Sequence, residues 1–334
     1  MQIKRLVIEN FKSIERIELI EPNPFTVFVG PNGSGKSNIF EALEFVATAS
    51  RFNRPHEAVR LFGGEDKLFR RAEGNNEVFS YELHYGYGDS EFITMSMPFG
   101  STFRFGSQFN AQTDSNLKKP ANPIPKALLY HFIEQFKRVL VNAPDRKKSS
   151  LEYQDGDSLN FSASNLEPVL KRLLINESLK IEIFDWLSLF VPGFKAVEID
   201  DRDELHWFEV SSDRYFTKDL ISDGTYNILA LLTAVYQSDD PQFLCIEEPE
   251  NGLNPKVTRE LVQLFRFACE EYGHYIWLNT QSQSLVSVLT PEEIILVDKV
   301  DGATKTKQVA GMNLHGLPMD EAWLSNALGG GIPW

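Results

Sequence analysis

Residues 30–37 read GPNGSGKS, which fits the pattern G-x-x-x-x-G-K-[ST] at every fixed position. Glycines let the backbone curl until several N–H groups point inward, forming a nest for an anion. A helix that begins where such a loop ends turns its positive pole on the same anion. Lys36 is placed to reach β- and γ-phosphates, and the Ser37 hydroxyl is placed to ligate Mg²⁺. The flanks agree with this reading. Upstream, PFTVFV is a β-branched and aromatic run suited to a buried strand. Downstream, SNIFEALEFVATA is apolar at helical spacing through Ile39, Phe40, Leu43 and Val46. Strand, glycine loop and helix is the order a phosphate cradle needs. The candidate nucleotide-binding residues are therefore Gly30, Pro31, Asn32, Gly33, Ser34, Gly35, Lys36, Ser37 and Asn38.

The rest of the chain supplies strands and helices around that loop. Residues 2–9 and 14–20 alternate apolar and polar and read as a strand pair. Residues 77–97 read as a hairpin turning at GYGDS, its Phe and Tyr packing a sheet. Residues 98–124, rich in Gly, Ser, Asn, Gln and Pro, read as a mobile surface loop. Helical patterning is expected over 125–140 and 164–190. Strands follow near 194–199, 205–210, 243–246, 275–279, 294–300 and 306–310, with helices over 224–236 and 255–272 between them. Strands alternating with helices around a phosphate loop imply a largely parallel α/β core. The tail GLPMDEAWLSNALGGGIPW carries a short helix and a glycine-rich end not expected to pack tightly by itself. Trp323, Leu324 and Trp334 there either fold back or dock a partner.

Bulk properties exclude several classes. The 334 residues suffice for one elaborated domain or two. A formal net charge of -14 argues against general affinity for nucleic acid, although a local basic patch stays open. Two cysteines, Cys245 and Cys269, make no disulfide framework. No apolar run is long enough to span a membrane, and MQIKRLVIENFKSIE lacks the features of a signal peptide. A cytoplasmic protein is expected.

The stretch FLCIEEPENGLNP at 243–255 ends an apolar strand in paired acids, Glu247 and Glu248. Two acids after a strand are commonly just solvated. Following a phosphate loop, with a helix and another buried strand next, they read as the second half of a nucleotide site. The first would hold the Mg²⁺ shell, and the second would orient and deprotonate water.

Taken in order, GPNGSGKS, ISDGT (221–225), FLCIEEPENGLNP and NTQS (279–282) resemble the ABC-type ATPase head. They resemble especially the branch containing OLD-family, RecF, Rad50 and SMC proteins. LVIENFKSI (6–14), and VNAPDRKK before SNLEPVL, are similar to that branch too. The resemblance implies an α/β fold: a mostly parallel core sheet around the phosphate loop, an antiparallel β lobe and a helical insertion. It implies one domain over 1–334. The β lobe and Walker A would occupy 1–97, a loop and helical insertion 98–192, and the signature, Walker B and switch lobe 193–334. ATP and Mg²⁺ would be the ligands, with Lys36, Glu248 and Gln281 catalytic and Ser37 and Glu247 on the metal. Ser222, Asp223 and Gly224 would form the signature loop, binding the γ-phosphate held by a second subunit in a homodimer or higher homo-oligomer. The plainer reading of Ser222 is a helix N-cap. Gly252, Leu253 and Asn254 would lie in the D-loop.

Two positions depart from the family pattern. Glu247 stands where Asp is commoner, with the same charge. Gln281 replaces the switch histidine and cannot be protonated, which implies slow hydrolysis, a timer more than a motor. Two roles follow from the resemblance. In one, the dimer controls a separately encoded effector, a nuclease in antiphage defence, since the chain ends soon after NTQS. In the other, a repair ATPase binds duplex DNA directly through Lys137, Arg138, Arg146, Lys147, Lys148, Lys171 and Arg172, whose plainer reading is a solvated surface. ISDGT in place of LSGGQ weighs against a transporter ATPase.

Overall fold

The structure is a computed structural model. It describes residues 2–52, 55–70, 78–85, 91–98, 104–109, 135–141, 157–314 and 316–332; 52, 55–56, 85, 91–98 and 104–109 are described in backbone alone. In chain order its main elements are β1 (Ile3–Phe11), β2 (Ile14–Ile20), β3 (Phe25–Val29), α1 (Lys36–Phe52), α2 (Pro55–Leu61), α3 (Glu65–Leu68), β4 (Val78–Tyr85), β5 (Glu91–Pro98), β6 (Arg104–Phe109), β7 (Phe136–Val139), α4 (Leu166–Leu174), α5 (Glu177–Phe190), β8 (Phe194–Ile199), β9 (Leu205–Glu209), α6 (Asp223–Tyr236), β10 (Phe243–Glu247), α7 (Pro255–Glu271), β11 (Tyr275–Thr280), α8 (Gln283–Val286), β12 (Ile294–Val300), β13 (Ala303–Gln308) and α9 (Met319–Leu324). They form two compact units, Met1–Phe136 with Thr290–Trp334, and Lys137–Leu289.

In the first unit the strands lie in the order β6-β5-β4-β1-β2-β13-β12-β3. From β6 to β2 the pairing is antiparallel, the expected β lobe. The strand β12 then runs parallel to β3, which is buried along its whole length. Aromatic rings weld the lobe to the helices. The Phe11 and Phe45 rings sit 5.7 and 5.5 Å from Phe79, and Phe40 of α1 meets Phe28 of β3 edge-on at 5.5 Å. Each such buried ring contributes about 1.5–3 kcal/mol. On the polar face of β1, Arg5 bridges Glu18 and Glu82 at 2.6 and 2.8 Å. These partly exposed pairs add at most about 1 kcal/mol apiece.

In the second unit β10 lies between β11 and β7. It runs parallel to β11, with Phe243 opposite Tyr275 and Glu247 opposite Asn279. Continuous burial of β10 and β11 explains their unbroken apolar sequence. Helix α6 is buried from Tyr226 to Tyr236. Helix α7 starts sharply because the Asn254 side chain caps Lys256 and Val257 N–H, with Pro255 at the first position. A separate antiparallel pair, β8 and β9, packs Phe194 on Trp207 at 4.8 Å.

Four expectations need correction or division. The segment read as a mobile loop, 98–124, holds β6, paired antiparallel with β5. The helix expected over 125–140 is strand β7 at its C-terminal end, because pairing with β10 overrides local propensity; 125–134 lie outside the described residues, as does the GYGDS turn. The helix expected over 164–190 is two, divided at Asn176, whose side chain caps α5. The last strand begins at Ala303, earlier than expected. Asp301 and Gly302, at φ 50 and 77, form a two-residue turn that pairs Val300 with Ala303.

Candidate nucleotide site

The phosphate loop is built entirely within the first unit. It leaves β3, passes Gly30 and enters α1 at Lys36. Glycine is required at two points of close approach. A Cβ at Gly30 would lie 2.1 Å from the Val297 carbonyl oxygen, and one at Gly35 would lie 2.0 Å from Thr304 Oγ1. Lys36 is buried, and its Nζ donates to the Gly30 and Pro31 carbonyls at 2.6 and 2.9 Å. The ammonium thus folds over the loop that it would serve. Ser37 is the second residue of α1, one position past Lys36. Asn38 closes the first turn, donating its N–H to the Gly35 carbonyl at 3.0 Å.

A brace holds this loop from outside, and sequence reasoning missed it. Asn38 Nδ2 donates to Ser13 Oγ at 2.7 Å, and Ser13 Oγ meets Thr304 Oγ1 at 2.6 Å. Thr304 Oγ1 also lies 2.9 Å from the Ser34 carbonyl. Ser13 belongs to the quoted stretch LVIENFKSI, but no signal in a single sequence joins it to a threonine 291 residues away. Ser34 Oγ itself is buried without a partner. Such a hydroxyl costs about 1–3 kcal/mol, and a phosphate oxygen in the cradle would satisfy it. The loop therefore fits a nucleotide's phosphates.

The acids lie in the second unit. Glu247 ends β10, is buried, and accepts hydrogen bonds from Arg138 of β7, from Nε at 2.6 Å and also from the second guanidinium nitrogen. Arg138 stacks over the Phe161 ring at 4.9 Å. This corrects its assignment as a surface contact for DNA: the guanidinium is spent neutralising a buried acid. The Glu247 carboxylate is an oxygen donor of the kind Mg²⁺ selects. Glu248 is half-buried with a left-handed backbone, φ 48, its N–H donated to the Asn279 carbonyl at 3.0 Å. Its Oε2 accepts from Asn251 Nδ2 at 3.0 Å.

The remaining predicted residues divide clearly. Ser222 is exposed and caps α6, accepting from Thr225 N–H at 3.1 Å, with Asp223 exposed and Gly224 half-buried beside it. Gly224 touches Gly252 of the expected D-loop, where an added Cβ would lie 2.5 Å from the Gly252 carbonyl oxygen. Gln281 is exposed, whereas Asn279, two residues earlier, is buried with its Nδ2 unpartnered. Burial raises the pKa of Glu250, and Thr280 donates to its carboxyl. Among the proposed DNA contacts, Lys171 bonds the Asp200 carbonyl and Asp203, Arg172 bonds the Asp157 and Gln237 carbonyls, and Lys137 bonds Ser158. Arg146, Lys147 and Lys148 lie outside the described residues. No helix among the described residues is long and apolar enough to cross a membrane.

This fold and this loop define a P-loop ATPase domain with the fold of SMC heads. The SMC head domain from Thermotoga maritima is similar over 92% of this chain and 99% of its own, with a TM-score of 0.55 at 14% identity. An Smc head with an extended coiled coil, bound to the C-terminal domain of ScpA from Pyrococcus furiosus, is similar over 96% of this chain and 98% of its own, with a TM-score of 0.57 at 14% identity. At that identity the likeness establishes the fold. The DNA replication and repair protein RecF of Geobacter sp. (strain M21) is 33% identical over 79 residues, 23% of this chain and 22% of the relative. Chromosome partition protein Smc of Methanocaldococcus jannaschii is 50% identical over 44 residues, 13% of this chain and 4% of the relative. The chain thus matches less than a quarter of either protein's length. The family described as "AAA domain, putative AbiEii toxin, Type IV TA system" matches residues 25–286. The chain belongs to that family, whose ATPases use ATP and typically Mg²⁺.

Proposed function

We propose that this chain is an ATP-binding, slowly hydrolysing switch that dimerises on nucleotide and controls a separately encoded effector, a nuclease in antiphage defence. The observation that carries the reading is the preformed loop, with its buried Lys36 and its unpartnered Ser34 hydroxyl. Gly30 to Asn38 would hold the phosphates. Ser37 and Glu247 would hold Mg²⁺, which when bound offsets phosphate charge. Glu248 would take the proton from the attacking water. Ser222 and Asp223 are exposed at a helix start, with Gly224 half-buried beside them, as a loop that meets ATP on a second subunit needs. Exposed Gln281 carries no titratable charge, in keeping with slow turnover. The family's description, which names a toxin of a toxin–antitoxin system, supports a separately encoded partner.

Glu248→Gln tests this directly. It should bind ATP, hydrolyse little and accumulate an ATP-dependent dimer in size-exclusion chromatography with light scattering. Proteins co-purifying with that trapped dimer should include the effector. Wild-type turnover by Glu248→Gln would overturn the role of the base, and a monomer with bound ATP would overturn the sandwich.

The similarity to RecF favours a second reading, direct binding of duplex DNA. A DNA-clamping head would bind duplex with a steep salt slope, and absence of such binding would leave the effector switch.

A further inference from the structure

Glu248 is held by the side chains of Asn279 and Asn251. Its backbone is left-handed, at φ 48. Its N–H is shared between the carbonyl and Oδ1 of Asn279 at 3.0 and 3.2 Å. Its carboxylate is oriented by one amide, Asn251 Nδ2, at 3.0 Å. Asn251 returns its own N–H to the Glu248 carbonyl at 3.1 Å, so the two residues close a small ring. Beyond that ring, the Asn251 carbonyl accepts from Asn227 Nδ2 at 2.6 Å. Asn227 is buried on α6, five residues past the cap residue Ser222. Gly224 and Gly252 meet backbone to backbone at the same junction. The start of α6, the loop after β10 and Glu248 are thus linked by short contacts with no slack.

We propose that Asn251 is a positioning residue for Glu248, and that Asn227 couples it to the helix opened by Ser222, Asp223 and Gly224. The inference rests on the ATPase reading above and deepens it. An anion arriving at the N-terminus of α6 acts on that helix end. Asn227 and the glycine contact pass any displacement to Asn251, and Asn251 passes it to the carboxylate. A general base works only within hydrogen-bond reach of the proton it takes, so its aim sets the rate. Nucleotide at the exposed loop of a chain would therefore be felt at the base of the same chain.

The test is steady-state hydrolysis and equilibrium ATP binding on the full chain. Asn251 is exposed, so its substitution spares the core. Asn251→Ala should lower kcat on the order of 10- to 100-fold, the cost of a misplaced catalytic group, while ATP affinity and Tm hold. Asn251→Asp keeps the shape but removes the donor, and should be at least as slow. Asn227→Ala should slow turnover too, and adding it to Asn251→Ala should cause no further loss. In a Glu248→Gln background, Asn251→Ala should also change nothing, whereas general damage to the fold would add. If Glu248→Gln hydrolyses ATP normally, the ATPase reading fails at its base. If Glu248→Gln is inactive but Asn251→Ala or Asn251→Asp keeps wild-type kcat, or the two losses add, positioning is overturned and the base stands. Wild-type kcat in Asn227→Ala would overturn the coupling alone.

Discussion

Arg138 donates from Nε to Oε1 of Glu247 at 2.6 Å, and the two side chains keep only 8% and 3% of their exposure. A buried pair of this kind is nearly balanced when intact, since desolvation offsets attraction. Removing one partner leaves the other charge without compensation. Arg138→Ala is therefore expected to lower the unfolding free energy by about 3–5 kcal/mol in urea titrations. Adding Glu247→Gln, which removes the stranded charge, should restore much of that loss. A cost for Arg138→Ala that Glu247→Gln leaves untouched would place its value in packing on Phe161 instead.

The phosphate loop makes an opposite kind of prediction. Ser34 Oγ is buried without a partner, so Ser34→Ala should be neutral or stabilise the ATP-free protein by up to about 3 kcal/mol. The same change should shrink the stabilisation that saturating ATP confers. A ligand at 100 times its Kd adds about 2.7 kcal/mol, which thermal scans with and without nucleotide resolve easily. Lys36→Ala should abolish the shift altogether. An undiminished shift in Lys36→Ala would remove the loop from the nucleotide site.

What was legible in the sequence follows from how local each signal is. The loop from Gly30 to Ser37 was readable because its chemistry needs fixed residues at fixed spacing. The strands β3, β10 and β11 were readable because burial on both faces leaves an unbroken apolar run. Strand β7 was misread because FKRV is too short to show a period, and pairing with β10 decides its state. The Arg138–Glu247 pair spans 109 positions, so no single-sequence pattern could point to it. For the same reason Arg138 passed for a surface charge. The Asp301–Gly302 turn was a readable signal, since that dipeptide suits a two-residue hairpin, and it fixes where β13 begins.

His274 gives the second unit a pH dependence. It is 2% exposed, its Nδ1 accepts from Gln242 N–H at 3.3 Å, and its Nε2 faces the Val235 carbonyl at 3.1 Å. The Tyr272 ring is its aromatic neighbour at 5.6 Å. Burial pushes its pKa down to about 4, against a partial opposing pull from the Val235 carbonyl. The unfolded chain binds the proton near pH 6.5. Stability is therefore complete above that value and is lost as pH falls toward 4. Between pH 7.5 and 5 the loss should be about 2 kcal/mol in urea titrations. His274→Gln, which does not titrate, should remove that part of the slope. An unchanged slope would assign it to other groups.

The glycine-rich tail behaves differently from its composition. Glycine alone suggests a loose end, but Trp323 is fully buried and its Nε1 donates to the Gly331 carbonyl at 2.5 Å. The Gly331 N–H donates to Asp298 Oδ2 at 2.8 Å, and Lys307 Nζ donates to the Leu328 carbonyl at 2.7 Å. The segment is thus sewn onto β12 and β13 of its own unit, which favours folding back over docking for Trp323; Trp334 lies outside the described residues. Trp323→Ala should cost about 3–5 kcal/mol, the usual range for emptying a buried tryptophan site. Trp323→Phe keeps most of the apolar bulk but leaves the Gly331 carbonyl without its donor, for a loss of about 1–3 kcal/mol. Asp298→Ala removes the bond on the other side of the same residue. Because both act through Gly331, their combined cost should fall short of the sum. Strict additivity would mean the two bonds hold the tail independently. A cost below about 1 kcal/mol for Trp323→Ala would mean that the first unit folds without its tail, and would return Trp323 to the role of a docking residue.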